Sequence, residues 1–535
     1  MMMDILLLAL VGVVASETSV WCQFGSAAAI ECTSQDGHNS TATAWVTYNK
    51  SMDQIGWDTL FVSTNAQADP VLQAYAGGYG EGLLTASRIA QHRDSFFETT
   101  FNGTQDQLYK EALDFVTKND QYVTEMSRQK HQGDLGQFWQ QVKLVQMQMD
   151  GMVAATNLSR SDFLLVNALV DLSSIIHKPF DVDKWDVSDL EQFRKRSTHC
   201  SALVRVTPGF QDLFTSHNTW TGFFTMLRVL KHYDFPFDSS RPSAVFPGYF
   251  GTITSTDDYF VLSNQLVVQE TTNAVTNKQL LSKITPSSVL TWYRTVVANR
   301  LATDGPSWVR FFSFHNSGTI NNQWMVVDYS KFTPGSPLPV GTLTIAEQLP
   351  DYMQSADVTQ YLNLGYWPSY NSPFFPETRQ LSGAVEMEKK FGPSYSYGLD
   401  PRAKIFRRDA PTTYTLEDMK RLMRYNDWQH DPFAAAGYGG ESEPRSPENQ
   451  IASRYDLIPP NETQTKPELR SPFGNTDAKL VSSADVRAMR FHAISGPTHE
   501  TQPVFSWATP EWSKWPHYGQ VDSFDFDWVQ FAAAP

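Results

Sequence analysis

Apolar residues recur at steps of three and four positions along much of the N-terminal third of the chain. This spacing places them on one face of an α-helix, so these stretches are predicted to be helical. In one stretch the apolar face consists of Phe138, Val142, Val145, Met149 and Met152, a stripe typical of a face packed in a core. The predicted helices cover residues 71–93, 104–130, 135–156 and 160–177.

Short runs rich in β-branched and aromatic residues predict strands, most of them in the C-terminal two thirds of the chain. They are residues 44–48, 60–62, 202–206, 212–215, 259–262, 266–268 and 323–328. A further helix is predicted from about Val289 to Leu301, and residues 437–475, rich in Pro, Gly, Ser and charge, predict a long surface loop. Helices layered on packed sheets satisfy this order of elements.

A glycine-rich stretch at residues 77–82 resembles a phosphate-binding loop only superficially. Its glycines do not have the spacing of a nucleotide-binding motif, and no Lys-Ser or Lys-Thr pair follows them. We interpret the stretch as close backbone packing or a turn, because glycine tolerates both.

Composition and charge narrow the class of partner. Of the 535 residues, 41% are hydrophobic and 19% are charged, which is typical of a globular protein with a large core. The net charge is −15, with 42 Lys and Arg against 57 Asp and Glu. Nucleic acid is therefore excluded as a main partner, since phosphate binding needs clustered basic residues.

The N-terminus has the pattern of a secretory signal. Residues 5–14 form an apolar run that is too short to span a bilayer, and we predict a signal peptide at residues 1–15 with cleavage near Ala15 or Ser16. The leader is atypical in carrying Asp4 and no Lys or Arg. Glycosylation sequons, which support a secreted or lysosomal protein, begin at Asn39, Asn49, Asn102, Asn157 and Asn461.

The chain has three cysteines, Cys22, Cys32 and Cys200. In an oxidising compartment Cys22 and Cys32 are close enough in sequence to form a disulfide across a short loop. Cys200 is then left as an inert buried thiol, an intermolecular bridge or a reactive nucleophile. Composition alone favours the inert thiol, because free cysteine is among the most buried residue types.

Common hydrolase and metal motifs are not found in the sequence. There is no G-x-S-x-G elbow and no H-E-x-x-H pair, the cysteines are too sparse for a structural zinc site, and the histidines lack metal-ligand spacing. We therefore predict neither a metal nor another cofactor.

Cys200 lies where a charged connector, residues 181–199, meets a predicted strand. A cut between His199 and Cys200 would give Cys200 a free α-amino group, whose ordinary pKa of about 8 suits it to act as base for the thiol of the same residue. The thiol itself could make the cut by attacking the preceding carbonyl, after which water would hydrolyse the thioester.

A series of sequence runs that begins at Cys200 resembles the phospholipase B-like (lamina ancestor-like) proteins, which are lysosomal or secreted N-terminal-nucleophile hydrolases. The resemblance extends from about residue 40 to near the C-terminus. The runs, in order, are Cys200-Ser201-Ala202-Leu203, Ser216-His217-Asn218-Thr219-Trp220, Thr254-Ser255-Thr256-Asp257-Asp258-Tyr259, Gln269-Glu270-Thr271-Thr272, Val297-Ala298-Asn299-Arg300-Leu301-Ala302, Asn316-Ser317-Gly318-Thr319-Ile320-Asn321-Asn322-Gln323-Trp324, Pro368-Ser369-Tyr370-Asn371, Pro401-Arg402-Ala403-Lys404-Ile405-Phe406 and Arg421-Leu422-Met423-Arg424-Tyr425-Asn426-Asp427.

The resemblance implies an α+β fold, a four-layer αββα sandwich of two antiparallel sheets between helical layers. It also implies cleavage into an N-terminal fragment, residues 16–199, and a C-terminal fragment, residues 200–535, that remain associated. Family members usually have additional cysteines near the loop that here reads Phe433-Ala434-Ala435-Ala436-Gly437. Their absence removes a disulfide and leaves the chemistry intact.

The resemblance also implies a catalytic site. Cys200 would be the nucleophile, with His217 and Trp220 lining the pocket beside it. Thr272 would lie near the freed amine, and Asn371 would donate to the oxyanion. Arg402 would orient the nucleophile and favour the thiolate, with the run Arg407-Arg408-Asp409 ranked second for this role.

The expected reaction is hydrolysis of fatty acyl groups from phospholipids through a cysteine thioester, with transient contact with a membrane surface. Two alternatives stay open. The enzyme could instead cut N-acyl or peptide-like amides, or the protein could be a non-catalytic lipid-binding glycoprotein in which Cys200 is inert. Separately, another protease could make the cut.

Overall fold

The computed structural model describes residues 16–25, 29–34, 39–101, 103–176, 200–238, 241–435, 445–460 and 470–533. The predicted signal peptide, the connector 181–199 and the sequons at Asn102 and Asn461 lie outside the described residues. Asn39 and Asn49 are half-buried, and Asn157 is exposed. Within the described ranges, no helix combines the length and apolar composition needed to cross a membrane.

The α-helices and β-strands are numbered separately in chain order. The helices α1 to α15 are Met52–Ile55, Pro70–Thr100, Gln107–Arg128, Gly133–Ala155, Arg160–Asn167, Asp171–Ile175, Lys278–Leu281, Thr291–Leu301, Gly305–Ser313, Thr359–Leu362, Pro376–Ser382, Ala384–Phe391, Pro401–Asp409, Leu416–Met423 and Ser483–Arg487. The strands β1 to β18 are Ser16–Phe24, Ile30–Thr33, Ala44–Lys50, Asp58–Thr64, Cys200–Val206, Leu213–Gly222, Arg228–Asp234, Ala244–Tyr249, Tyr259–Leu262, Leu266–Thr272, Asn322–Asp328, Leu343–Leu349, Tyr352–Asp357, Tyr366–Ser369, Phe473–Asn475, Asp477–Val481, Arg490–Ser495 and Val529–Ala532.

The helices predicted from apolar periodicity are confirmed, with one break. Helices α2, α3 and α4 cover the first three stretches, and the fourth is divided into α5 and α6. The predicted apolar face of α4 is buried throughout. Helix α2 begins where the Asp69 carboxylate accepts hydrogen bonds from the backbone N–H groups of Val71 and Leu72, which satisfies donors left free at a helix start.

Close packing between α2 and α4 accounts for the glycine-rich stretch. A Cβ atom added at Gly78 would lie 1.9 Å from the backbone oxygen of Gln148, and one added at Gly151 would lie 2.1 Å from that of Tyr75. Because the obstacle is backbone rather than a flexible side chain, the two helices can approach this closely only through glycine. The interpretation as close backbone packing is confirmed.

Replacing Gly78 by alanine is expected to lower the free energy of unfolding by at least about 2 kcal/mol, because the methyl group would force α2 and α4 apart. Gly398→Ala is the matched control, since a Cβ there meets only the flexible end of Arg407, at 3.6 Å. Urea unfolding followed by far-UV circular dichroism measures both variants. Equal stabilities would contradict the packing argument.

The strands form two sheets. The larger, of 11 strands, has the order β13-β12-β11-β10-β9-β8-β7-β4-β3-β1-β2, and its β4–β7 pair is parallel while its other pairs are antiparallel. The smaller, of seven strands, has the order β14-β5-β6-β16-β17-β18, with β15 also paired to β6. The larger sheet therefore joins strands from both sides of residues 177–199.

Three hydrophobic cores show how the sheets and helices are layered. Val204 of β5 shares one core with Val261 and Val327 of the larger sheet, so this core lies between the sheets. Leu203, which points to the opposite face of β5, packs in a second core with residues of α13 and α14. In the third core, residues of α2, α4, α8 and α9 cover the other face of the larger sheet. The fold is α+β, with helices on packed sheets.

Strands β1 and β2, which were not predicted from the sequence, extend the edge of the larger sheet. Cys22 and Cys32 lie directly opposite each other on these strands and are joined by a disulfide. Their Cα atoms are 4.1 Å apart. The bridge ties the outermost strand to its neighbour.

The prediction of a surface loop at residues 437–475 is wrong for much of its described part. Ile451, Ala452 and Ser453 are fully buried, and β15 pairs with β6. The charge of buried Arg454 is neutralised by Asp456, 2.7 Å away. Polar composition is a poor guide here because the polar groups find partners inside the protein.

Candidate active site

Cys200 is the first residue of β5 and pairs with Thr219 on β6. Its side chain is buried, and the Sγ–H donates to Oε1 of Glu270 at 3.9 Å. Burial, together with the negative charge of Glu270, raises the pKa of the thiol well above its ordinary value. In the uncut chain the Cys200 nitrogen belongs to a peptide bond, so the thiol lacks a neighbouring amine and remains protonated.

His217 and Glu270 approach Cys200 from different sheets. His217 lies on β6, whereas Glu270 lies on β10 of the larger sheet. The Cys200 sulfur, a ring nitrogen of His217 and a carboxylate oxygen of Glu270 all lie within 4.8 Å of one another. Burial, and next the positive charge of Lys479, lower the pKa of His217 well below its ordinary value, so its imidazole is neutral.

Arg402, in the first turn of α13, connects three parts of the site. Its Nη1 donates to the backbone oxygen of Cys200 and to Oδ1 of Asn371, each at 2.8 Å, and its Nη2 donates to the backbone oxygen of Tyr370 at 2.6 Å. The Asp400 carboxylate accepts from the backbone N–H of Arg402 and so caps the helix. The guanidinium therefore fixes the start of β5 relative to the segment after β14.

Trp220 supports the same guanidinium from β6. The Arg402 Cζ lies 4.4 Å from the centre of the indole ring, within range of a cation–π interaction. The indole N–H donates to Oδ1 of Asn218, which also accepts the backbone N–H of Ser201. Trp220 thus contacts the site through its ring and through Asn218.

Asn371 connects Thr272 to Arg402. Asn371 has a left-handed backbone with φ of 65°, a conformation in which asparagine is enriched. Its Nδ2 donates to the backbone oxygen of Thr272 at 2.7 Å. The structure therefore brings together all the catalytic candidates from the sequence: Cys200, His217, Trp220, Thr272, Asn371 and Arg402.

The rival arginines point elsewhere. Arg407 donates to the backbone oxygen of Gly398, and Arg408 binds Asp409 and Asp431. Among the residues that the structure describes, neither guanidinium forms a hydrogen bond or ion pair with a candidate catalytic residue.

A buried charge network, which the sequence analysis did not assign, lies behind the site. Lys479 binds Asp477 at 2.8 Å, and Arg228 bridges Asp477 and Asp257. Asp257 and Glu270 lie within the sequence runs that resemble the phospholipase B-like proteins, so a search of those runs for carboxylates could have found them. Lys479 and Asp477 carry no such signal, because β16 is an ordinary short strand in sequence.

Cys200 lines a cavity of about 200 Å³. Its polar lining includes Glu270 and Thr272. The apolar wall includes Phe96, Leu108, Leu169, Leu172, Ile176 and Phe224. Many of these residues belong to the helical part before residue 177, so both halves of the chain build the cavity.

Fold and site define an α+β protein with a single unpaired cysteine, buried at the start of a strand and facing an apolar cavity. A family profile described as Phospholipase B matches residues 44–531. Phospholipase B-like protein B of Dictyostelium discoideum is 38% identical over 516 residues, which cover 92% of this chain and 86% of the relative. Phospholipase B-like 1 of Bos taurus is 34% identical over 500 residues, with 90% and 87% covered, and Phospholipase B of Crotalus adamanteus is 32% identical over 521 residues, with 92% and 89% covered. The chain belongs to the phospholipase B family.

Proposed function

We propose that the chain is a self-processing acyl hydrolase with the αββα N-terminal-nucleophile fold, which removes fatty acyl groups from phospholipids through a thioester at Cys200. One observation carries the proposal. The thiol of Cys200, on the first residue of β5, lines an apolar cavity while Arg402 holds the carbonyl of the same residue at 2.8 Å. Nucleophile, positioning group and space for an acyl chain therefore meet at one point.

Processing would cut the peptide bond between His199 and Cys200. The sulfur attacks the His199 carbonyl, the amide C–N bond breaks, and the thiol proton passes to the leaving nitrogen to give the Cys200 amine. Water then hydrolyses the thioester, which leaves a carboxylate on His199 and restores the thiol. The fragments stay together because β4 of the first pairs with β7 of the second, and Val142 of α4 shares a core with Val326 of β11. Breaking this association would expose a large apolar surface.

In the proposed reaction the freed amine of Cys200 takes the thiol proton as sulfur attacks the ester carbonyl. The carbon–sulfur bond forms, the carbon–oxygen bond breaks, and the leaving alcohol receives the proton. Water then attacks the thioester, which releases the fatty acid and restores the thiol. The Asn371 amide would donate to the oxyanion and the Arg402 cation would hold the nucleophile in place, which is consistent with their contacts.

The wall of the cavity supports an acyl rather than a polar substrate. Leu108 lines it and remains 36% exposed, so apolar surface continues from the cavity towards solvent. Such a rim suits transient contact with a lipid surface, and the secretory features of the sequence suit a secreted or lysosomal enzyme.

Filling the cavity is expected to shorten the preferred acyl chain. Ser173 lines the cavity and is half-buried. In Ser173→Phe the ring would occupy the space of several methylene groups, each worth about 0.8 kcal/mol of burial, so kcat/KM for long chains should fall at least about tenfold relative to short ones. Hydrolysis of a series of lysophosphatidylcholines of different chain length, compared with matched N-acyl amides, measures the effect.

Ser313→Phe is the matched control. The hydroxyl of Ser313 donates to the carbonyl three residues earlier, as that of Ser173 does, but Ser313 is exposed on α9. Its chain-length profile should equal that of the wild type. An unchanged chain-length profile in Ser173→Phe would refute the proposal that this cavity binds the acyl chain. Hydrolysis of the amides alone would establish the amidase alternative.

A further inference from the structure

His217 is a buried histidine with few polar contacts. Among the described residues, no side chain forms a hydrogen bond with either ring nitrogen, the backbone of Glu270 is the one hydrogen-bonding neighbour of the ring, and the side chain has no exposure to solvent. An unsatisfied buried polar atom costs about 1–3 kcal/mol, so such atoms usually have a function that offsets the cost. The neighbours of the ring include the Cys200 thiol and the Glu270 carboxylate.

We propose that Cys200, His217 and Glu270 bind one Zn²⁺ ion and that this ion holds the thiol inactive. The three ligand atoms lie within 4.8 Å of one another, and Sγ of Cys200 is 3.9 Å from Oε1 of Glu270. Tetrahedral zinc with bonds of about 2.3 Å to sulfur and about 2.0 Å to oxygen holds these atoms about 3.5 Å apart. Small side-chain rotations therefore complete the site.

The ligand types select zinc over harder cations. A thiolate, an imidazole and a carboxylate suit Zn²⁺, whereas Mg²⁺ and Ca²⁺ prefer oxygen ligands. The cavity that reaches Cys200 and Glu270 provides an entry path and room for a water as fourth ligand. Binding replaces the thiol proton by the Zn–S bond, and the proton leaves to solvent.

Charge around the site also favours a cation. The nearby basic side chains, Arg228 and Lys479, are engaged by Asp257 and Asp477. Within the described part of the chain, no Lys or Arg is within ion-pair distance of Glu270. A buried carboxylate without a paired cation lowers the stability of the fold, and a bound divalent ion would neutralise it together with the thiolate.

No metal site was predicted from the sequence, because the three ligands have no motif spacing. They come from β5, β6 and β10, and only the packing of the two sheets brings them together. The inhibitory consequence rests on the proposed function, whereas the binding does not: a zinc-loaded thiol can neither cut the chain nor attack an ester.

Titration of the full-length chain with zinc chloride, followed by calorimetry, tests the binding. We expect one ion per chain, and a weakening of about 10- to 100-fold or more in each of Cys200→Ala, His217→Asn and Glu270→Gln. His430→Asn is the control, since His430 is an exposed histidine paired with Asp427. Its affinity should equal that of the wild type.

Cobalt chloride gives a second measurement on the unaltered protein, which does not depend on the variants folding. Cys200 is the free cysteine, because Cys22 and Cys32 are paired. A thiolate-to-cobalt charge-transfer band, removed by added zinc, is therefore expected and reports on Cys200. Absence of the band, or equal zinc affinity in all three ligand variants, would overturn the site. A protein that binds zinc but hydrolyses no acyl substrate even after a chelator has removed the metal would refute the proposed function and leave the site standing.

Discussion

Cys200→Ala is expected to keep the chain whole and to lower acyl hydrolysis by at least about 10³-fold, because both reactions use the same sulfur. The fold should survive the change. The side chain is small, and its hydrogen bond to Glu270 is long at 3.9 Å, so the loss of stability should be about 1 kcal/mol. A folded but inert protein is therefore the predicted result.

Intact mass and N-terminal sequencing of the purified protein, incubated at neutral and acidic pH, make the measurement. Wild type should show a new N-terminus at Cys200 under at least one condition. Cys200→Ser is the informative control, since its hydroxyl can attack in the same way but is a weaker nucleophile, and it should be cut more slowly.

Other outcomes separate the alternatives. If purified wild type stays whole and is cut at His199-Cys200 only when a lysosomal extract is added, with Cys200→Ala cut equally well, then a separate protease makes the cut. If both proteins stay whole, bind phospholipid vesicles equally and hydrolyse nothing, the lipid-binding interpretation replaces the enzymatic one.

The helical part of the fold could be predicted because its polar and apolar residues follow the helical period. The apolar face of α4 is buried throughout, as its spacing indicated. Strands were harder. β6 extends from Leu213 to Gly222, but only its first residues look like a strand, because the buried run Ser216 to Thr219 is polar. Local pattern cannot reveal that these groups are satisfied by distant partners.

Buried charged residues made two further strands difficult to predict from the sequence. β7 contains Arg228 and Lys231, and β16 contains Asp477 and Lys479, each with almost no exposure to solvent. A charged residue indicates a surface position in sequence, but these four neutralise one another or bind other buried groups. Burial here depends on pairing between segments far apart in the chain.

The candidate site was predictable only through the resemblance to a family. From local sequence, Arg402 after Pro401 is an ordinary helix start and Asn371 an ordinary turn residue. Their contact at 2.8 Å is created by the fold. Glu270 lies in the run Gln269-Glu270-Thr271-Thr272 but was assigned no role, because nothing in the local sequence shows that the opposite sheet brings Cys200 to it.

Arg402→Ala is expected to lower the free energy of unfolding by about 3 kcal/mol and to abolish processing and hydrolysis. The change would leave the backbone oxygens of Cys200 and Tyr370 and Oδ1 of Asn371 without this donor, and would uncover the face of Trp220. Urea unfolding and kcat measured on the same samples separate the two effects.

Arg402→Lys distinguishes charge from geometry. Lysine keeps the positive charge but cannot hold the Cys200 and Tyr370 oxygens with the two arms of a planar fork, so stability should be partly restored while kcat stays low. Arg407→Ala is the surface control on the same helix and should be within about 0.5 kcal/mol of wild type with normal kcat. Full activity in Arg402→Lys would mean that the fork does not position the nucleophile, and the guanidinium would then be needed only for packing against Trp220.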